Sequence, residues 1–160
     1  MSRLFHVSDS PDIARFEPRR IGDGLPCVWA IDEAHLCNYL LPRDCPRVCF
    51  RGAPDHPLLD GATIVIAIEA AWEERVRTSS VAVYEMPADG FVLTDAVAGY
   101  WQNAGAVAPV GKVIATDLPK EIAAAGARLM VLPSLWDLAD RVTDSRLDFS
   151  LIRMRNAAPR

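Results

Sequence analysis

The chain has 160 residues, 51% hydrophobic and 24% charged, with a formal net charge of −4. That length fits a single domain over 1–160 built on one core, and 9 Gly with 12 Pro exclude a collagen-like or low-complexity chain. The acidic balance leaves no bulk nucleic-acid footprint, and no apolar run approaches the roughly 18 residues that span a bilayer.

The opening segment, Arg3-Leu-Phe-His-Val-Ser8, is short, apolar and partly β-branched, which predicts a strand. Asp9-Ser-Pro-Asp12 is a turn, with Ile13 to Phe16 a single turn or short helix after it. Because Asp9 and Asp12 interrupt the N-terminal segment at once, it has no secretory apolar region, and the expected compartment is the cytoplasm. Cys27 to Ile31 is a second strand. Asp32 caps a helix from Glu33 to Leu41, which Pro42 stops. Arg47 to Phe50 is a brief strand and Gly52 to Asp60 a loop. Thr63 to Ile68 is the strongest strand, apolar on both faces, so helices are expected to cover its sheet. A helix over Ala70 to Arg77 leads to a strand over Ser80 to Met86, and Phe91 to Leu93 is extended. Asp95 to Ala108 has no clean period. Val110 to Ala115 is a strand. Asp117 caps a helix from Leu118 to Ala125 that Gly126 ends. Arg128 to Leu132 is a strand, Ser134 caps a helix from Leu135 to Thr143, and Asp148 to Met154 is a strand or extended tail. Strands and helices mix without strict alternation, which indicates an α+β fold with a partly antiparallel sheet, Ile64–Ile68 and Val81–Glu85 being its central strands.

Cys27, Cys37, Cys45 and Cys49 are separated by nine, seven and three residues, with no C-x-x-C. That spacing reads as buried free thiols rather than a zinc site, and no metal is expected. No G-x-G-x-x-G, P-loop, G-x-S-x-G or H-E-x-x-H motif is present.

The candidate chemistry is therefore residue by residue. On an alternating strand His6 faces away from Phe5 and Val7 and shares a face with Ser8, a polar pair suited to ribose hydroxyls; the bland alternative is a core histidine bonded to a backbone carbonyl. Tyr39, on the first helix, is either core or a stacking surface for a planar ring. Glu85 is either at an exposed strand end or held by a partner for use. Asp95 is either solvated or the carboxylate of an aromatic-rich lid before Tyr100 and Trp101. Arg43, Arg47 and Arg51 recur every four residues and are either a solvated loop or a pyrophosphate clamp. His35 and His56 read as surface residues.

Leu4-Phe-His-Val-Ser8 resembles the opening strand of ADP-ribosyltransferase-like domains, in which a histidine followed by a small hydroxyl or Gly residue holds the NAD ribose. Val28-Trp-Ala-Ile-Asp32 followed by Tyr39 looks like that superfamily's second strand and its helix with a stacking tyrosine. Val83-Tyr-Glu-Met-Pro87, with Asp95 beyond, looks like the acidic region of rifamycin ADP-ribosyltransferase and tRNA 2′-phosphotransferase types. The whole chain also looks like an uncharacterised bacterial family that shares L-F-H-V-S-D, P-R-D-C-P-R (Pro42 to Arg47), P-S-L-W (Pro133 to Trp136) and R-M-R-N-A (Arg153 to Ala157). The resemblance implies a split, mixed β-sheet with peripheral helices and NAD as substrate, with no metal. It implies that His6 and Ser8 fix the ribose, Tyr39 stacks on nicotinamide, Arg43 and Arg47 hold the pyrophosphate, and Asp95 or Glu85, with His6, supports the reaction. ADP-ribose would pass to a small molecule, a nucleic-acid end or water. The rivals are a non-catalytic nucleotide-binding module and a tailoring enzyme using the same cleft. Beyond Tyr100-Trp101 the chain departs from the pattern, reading Gln-Asn-Ala-Gly where an acidic residue is expected.

Overall fold

The structure is a computed structural model that describes residues 2–160. The chain divides into two compact units interleaved in sequence: one takes the described residues through Tyr39 together with Val81–Ala115, the other Leu40–Ser80 and Thr116–Arg160. Both combine sheet with helix, so the α+β expectation holds.

The first unit is a six-stranded antiparallel sheet. Its strands are β1 (Leu4–Ser8), β2 (Val28–Asp32), β5 (Val81–Met86), β6 (Val92–Asp95), β7 (Tyr100–Asn103) and β8 (Gly111–Ala115), in the order β6-β7-β2-β1-β5-β8. Leu4 lies opposite Met86, His6 opposite Tyr84 and Ser8 opposite Ala82. Side chains alternate across a strand, so these share one face, where Leu4, Tyr84, Met86, Val28 and Ala30 pack with Phe16, Phe91 and Val107. Tyr84 is 1% exposed, and burying its phenol requires hydrogen-bond partners. Its hydroxyl donates to the Ser10 carbonyl (2.7 Å) and accepts from the Ile13 N–H (3.0 Å).

That hydroxyl explains why Ile13 to Phe16 is not helical. Phe16 exchanges both backbone bonds with Val107 (2.8 and 2.9 Å), so two of the segment's amides are committed elsewhere. The Glu33 to Leu41 helix is instead a 3-10 helix over Glu33–Tyr39, begun, as expected, by the Asp32 carboxylate accepting the His35 N–H at 3.0 Å.

The second unit carries β3 (Arg47–Arg51), β4 (Ile64–Glu69), β9 (Arg128–Leu132) and β10 (Asp148–Ile152) in the order β10-β3-β4-β9, antiparallel except for β4 with β9. Its α-helices are α1 (Glu73–Thr78), α2 (Leu118–Ala124) and α3 (Trp136–Thr143). The Asp117 carboxylate caps α2 through the Lys120 N–H (3.2 Å), and Gly126 ends it at φ +83°. Val65 to Ile68 are all fully buried. On one face of the sheet, Val48, Phe50, Val65 and Ala67 meet Leu135 and, from α3, Leu138, Ala139 and Val142. Each of the Val, Leu and Phe side chains contributes roughly 2 kcal/mol by leaving water. β4 and β5 are both interior strands, as expected, but of separate sheets.

All four cysteines are buried free thiols. Burial pushes the Cys45 thiol up to about 11 against the opposing pull of Arg47 and Arg75. Iodoacetamide near pH 8 is therefore expected to leave Cys45 unmodified in the native protein and to alkylate it readily in denaturant, as peptide mass mapping would show. Native alkylation at a free-thiol rate would contradict this environment.

No helix among the described residues is long and apolar enough to cross a membrane.

Candidate functional site

Sheet alternation decides which of the singled-out residues can meet. His6 is on the face of Leu4 and Tyr84. Its ring tilts against Phe16 (centroids 4.5 Å apart), and its Nδ1 is 2.8 Å from the Trp29 carbonyl. A carbonyl only accepts, so Nδ1 carries the proton. The β1–β2 register ends at Phe5 and Ile31, and the imidazole takes a carbonyl just beyond it. Ser8 lies on the same face, and its hydroxyl accepts the Ser10 N–H at 3.1 Å.

Phe5, Glu85, Ile31 and Tyr100 are successive partners on the opposite face. Tyr39 joins them there: its hydroxyl meets that of Tyr100, with ring centroids 6.3 Å apart. Trp29 stands edge-on to Tyr100 at 5.4 Å. The structure thus brings Tyr39 together with Tyr100 and Trp29, and sets His6 and Ser8 on the other side of the sheet. The indole N–H groups of Trp29 and Trp101 are buried with no partner among the described residues; orphaned donors of this kind are rare in folded proteins.

Each candidate carboxylate has a structural engagement. Glu85 receives Arg3 Nε and Nη2 at 3.0 and 2.9 Å, and Arg3 Nη1 also reaches Glu33 at 3.1 Å. The hydrogen bonds from Arg3 hold the Glu85 carboxyl below the ordinary range. Asp95 Oδ1 accepts the Val97 and Ala98 N–H groups, both at 3.0 Å, fixing the turn between β6 and β7. Arg43 and Arg47 belong to the second unit. Arg43 is exposed. Arg47 is 1% exposed, and its guanidinium donates to the carbonyls of Cys45 (2.9 Å), Pro42 (2.8 Å) and Arg43 (3.2 Å).

His35, read from sequence as a surface residue, is corrected by the structure: its side chain is 12% exposed and paired with Asp32. Its Nδ1 is 2.7 Å from Asp32 Oδ1, the same oxygen that caps the helix. A carboxylate oxygen is an acceptor, so Nδ1 carries the hydrogen and Nε2 keeps its lone pair in the neutral ring. Nε2 has no partner among the described residues. Gly99 closes the other side. A Cβ there would lie 2.3 Å from Nδ1 and 2.8 Å from Asp32 Oδ1, and its φ of +70° favours glycine. The Gly99 carbonyl also accepts the Asp32 N–H at 3.0 Å. Since Tyr100 follows Gly99, the Asp32–His35 pair and the tyrosine pair are built from the same two segments. The sequence signal was the three-residue step from a capping Asp to His, which places both on one turn. His56 is half-buried and accepts the Leu58 N–H at Nδ1 (3.1 Å).

No group of three or more His, Cys, Asp or Glu residues among those described is arranged to hold a metal ion. No curated protein and no solved structure matches the chain significantly. Residues 5–157 match DUF6886, a family of unknown function, and the chain belongs to that family.

Proposed function

We propose that the first unit binds NAD or a related nucleotide and acts as an ADP-ribosyltransferase-like enzyme, cleaving the bond between nicotinamide and ribose. The fold reading that accompanies this is a split sheet of the ADP-ribosyltransferase type, supported by two separate sheets with β1 interior to one of them. The observation that carries the proposal is the aromatic cluster of Tyr39, Tyr100 and Trp29, with Tyr39 on the helix that follows the second strand. A planar ring laid on such a cluster gains stacking. In this arrangement His6 orders the opposite face rather than the ribose.

Calorimetry with NAD tests the proposal. The wild-type chain binds. Tyr39→Ala and Tyr100→Ala each weaken binding about 5- to 150-fold, matching a stacking contribution of roughly 1–3 kcal/mol per ring. Absence of NAD binding by the wild type would overturn it.

A second reading, a non-catalytic nucleotide-binding module, is favoured by the engagement of Glu85 with Arg3 and of Asp95 in its turn. A cation developing at the ribose needs a fixed negative charge close by. NAD binding without nicotinamide release would select this second reading.

A further inference from the structure

We infer that the second unit carries a small-molecule site of its own, between α3 and the strand β9, and that its ligand is a zwitterion with an apolar body, of the class of the apolar α-amino acids. All the residues that line this site belong to the second unit. The inference therefore goes beyond the nucleotide reading and does not rest on it.

The site follows from the packing of an edge strand. β9 is the last strand of the four-stranded sheet. Met130 and Leu132 stand two apart on it, so they share a face, and both pack toward the core that α3 covers. Between them and α3 lies a cleft of about 350 Å³. Small-molecule pockets run from roughly 300 to 1,000 Å³, so the volume suits a small metabolite rather than a macromolecule. Leu58, Met130 and Leu132, each half-buried, and the buried Leu138 supply its apolar surface. The wall that holds Leu58 is fixed in advance: Arg128 Nη1 donates to the Leu59 and Asp60 carbonyls at 3.2 and 3.0 Å.

The polar groups come mostly from one helix side. Ser134, Asp137 and Arg141 follow at steps of three and four residues and line the cleft together, with Asp60 added by the loop. The side chains of Asp60, Asp137 and Arg141 make no hydrogen bond or ion pair with another described residue. Asp140, next to Arg141 in the chain, is by contrast occupied by Arg160 at 2.8 and 3.0 Å. Ser134 Oγ accepts the Trp136 N–H at 3.4 Å and keeps its own O–H to donate.

Charge selects the ligand class. Two carboxylates against one guanidinium disfavour a simple carboxylic acid, and a simple amine leaves Arg141 uncompensated beside it. A molecule bearing both charges meets both signs. Asp137 and Arg141 are one helical turn apart, about 6 Å along the axis, a span that the ammonium and carboxylate of one amino acid can bridge. The Arg141 fork takes the carboxylate and Asp137 the ammonium. The apolar side chain lies on Leu58, Met130 and Leu132, where the flexible thioether adapts to its shape.

The test uses the full chain labelled with carbon-13 at the methionine methyl groups. L-Leucine and L-phenylalanine are titrated first, then isocaproate, which lacks the amine of leucine, and isoamylamine, which lacks its carboxylate. Leucine shifts the Met130 methyl signal to saturation and leaves that of Met86, in the core of the first unit, unmoved. Isocaproate and isoamylamine each bind at least about tenfold more weakly than leucine. Arg141→Gln and Asp137→Asn each weaken leucine binding about 10- to 150-fold, as expected for one lost charge-assisted hydrogen bond. Both side chains are exposed, so the variants fold, and an unchanged Met86 signal reports that they have. A Met130 signal that stays in place with millimolar leucine and phenylalanine overturns the site. Equal binding of leucine and isocaproate, or leucine affinity unchanged in Arg141→Gln, overturns the zwitterion. NAD binding is measured separately through Tyr39 and Tyr100, so failure of either reading leaves the other standing.

Discussion

Arg47→Ala is expected to destabilise the folded chain by roughly 4–6 kcal/mol. The buried side chain folds back on the loop between Pro42 and Pro46, whose carbonyls have no strand partner. Neither proline has an N–H to offer in return. Nε and Nη2 donate instead to Cys45, Pro42 and Arg43. Truncation removes the charge-assisted bonds that the guanidinium donates to these carbonyls and opens a cavity the length of an arginine, and these costs point the same way. For a chain of this length the midpoint of thermal unfolding would fall by roughly 10–20 °C. Arg47→Lys is expected to recover less than half, because one ammonium at the end of a flexible stem cannot stand at both Nε and Nη2. Urea titrations of the three proteins would measure this directly, and a loss under about 1 kcal/mol for Arg47→Ala would mean that the loop satisfies its carbonyls by other means.

The same residue shows what sequence could and could not reveal. The four-residue recurrence of Arg43, Arg47 and Arg51 reads first as a solvated loop and second as a phosphate clamp. The observed role of Arg47, a buried donor to its own loop, has no periodic signature because it depends on where the prolines turn the chain. Strands such as Ile64–Glu69 and Val81–Met86 were legible because a continuous β-branched run has few alternatives. The strand Tyr100–Asn103 was not, since its residues are all half-buried and its partner β6 is exposed throughout. Tyr39 was correctly placed after the second strand. Its side of the sheet was hidden, because Leu4 and Phe5 are both buried and alternation alone does not say which face of β1 holds His6. Asp32 was identified as a cap, but a cap that also grips the ring three residues later requires Gly99, sixty-odd residues away, to pack against it.

Gly99→Ala should therefore do more damage than its size suggests, roughly 3–5 kcal/mol of stability. Part of this is backbone. At φ +70° an L side chain is strained by about 1–2 kcal/mol. The larger part is the collision. A new methyl 2.3 Å from His35 Nδ1 and 2.7 Å from its Cγ cannot be accommodated, so the imidazole must leave the Asp32 carboxylate, breaking a 2.7 Å charge-assisted bond in a nearly closed space. Gly126→Ala separates the two parts: Gly126 has φ +83° but open space around it, so its substitution carries the backbone strain without the clash. Urea midpoints are expected to rank wild type above Gly126→Ala and Gly126→Ala above Gly99→Ala. Nitrogen-15 spectra of His35 should lose the Nδ1–H tautomer in Gly99→Ala alone. Equal destabilisation by the two substitutions, with the His35 tautomer intact in both, would show that Gly99 does not hold the ring against Asp32.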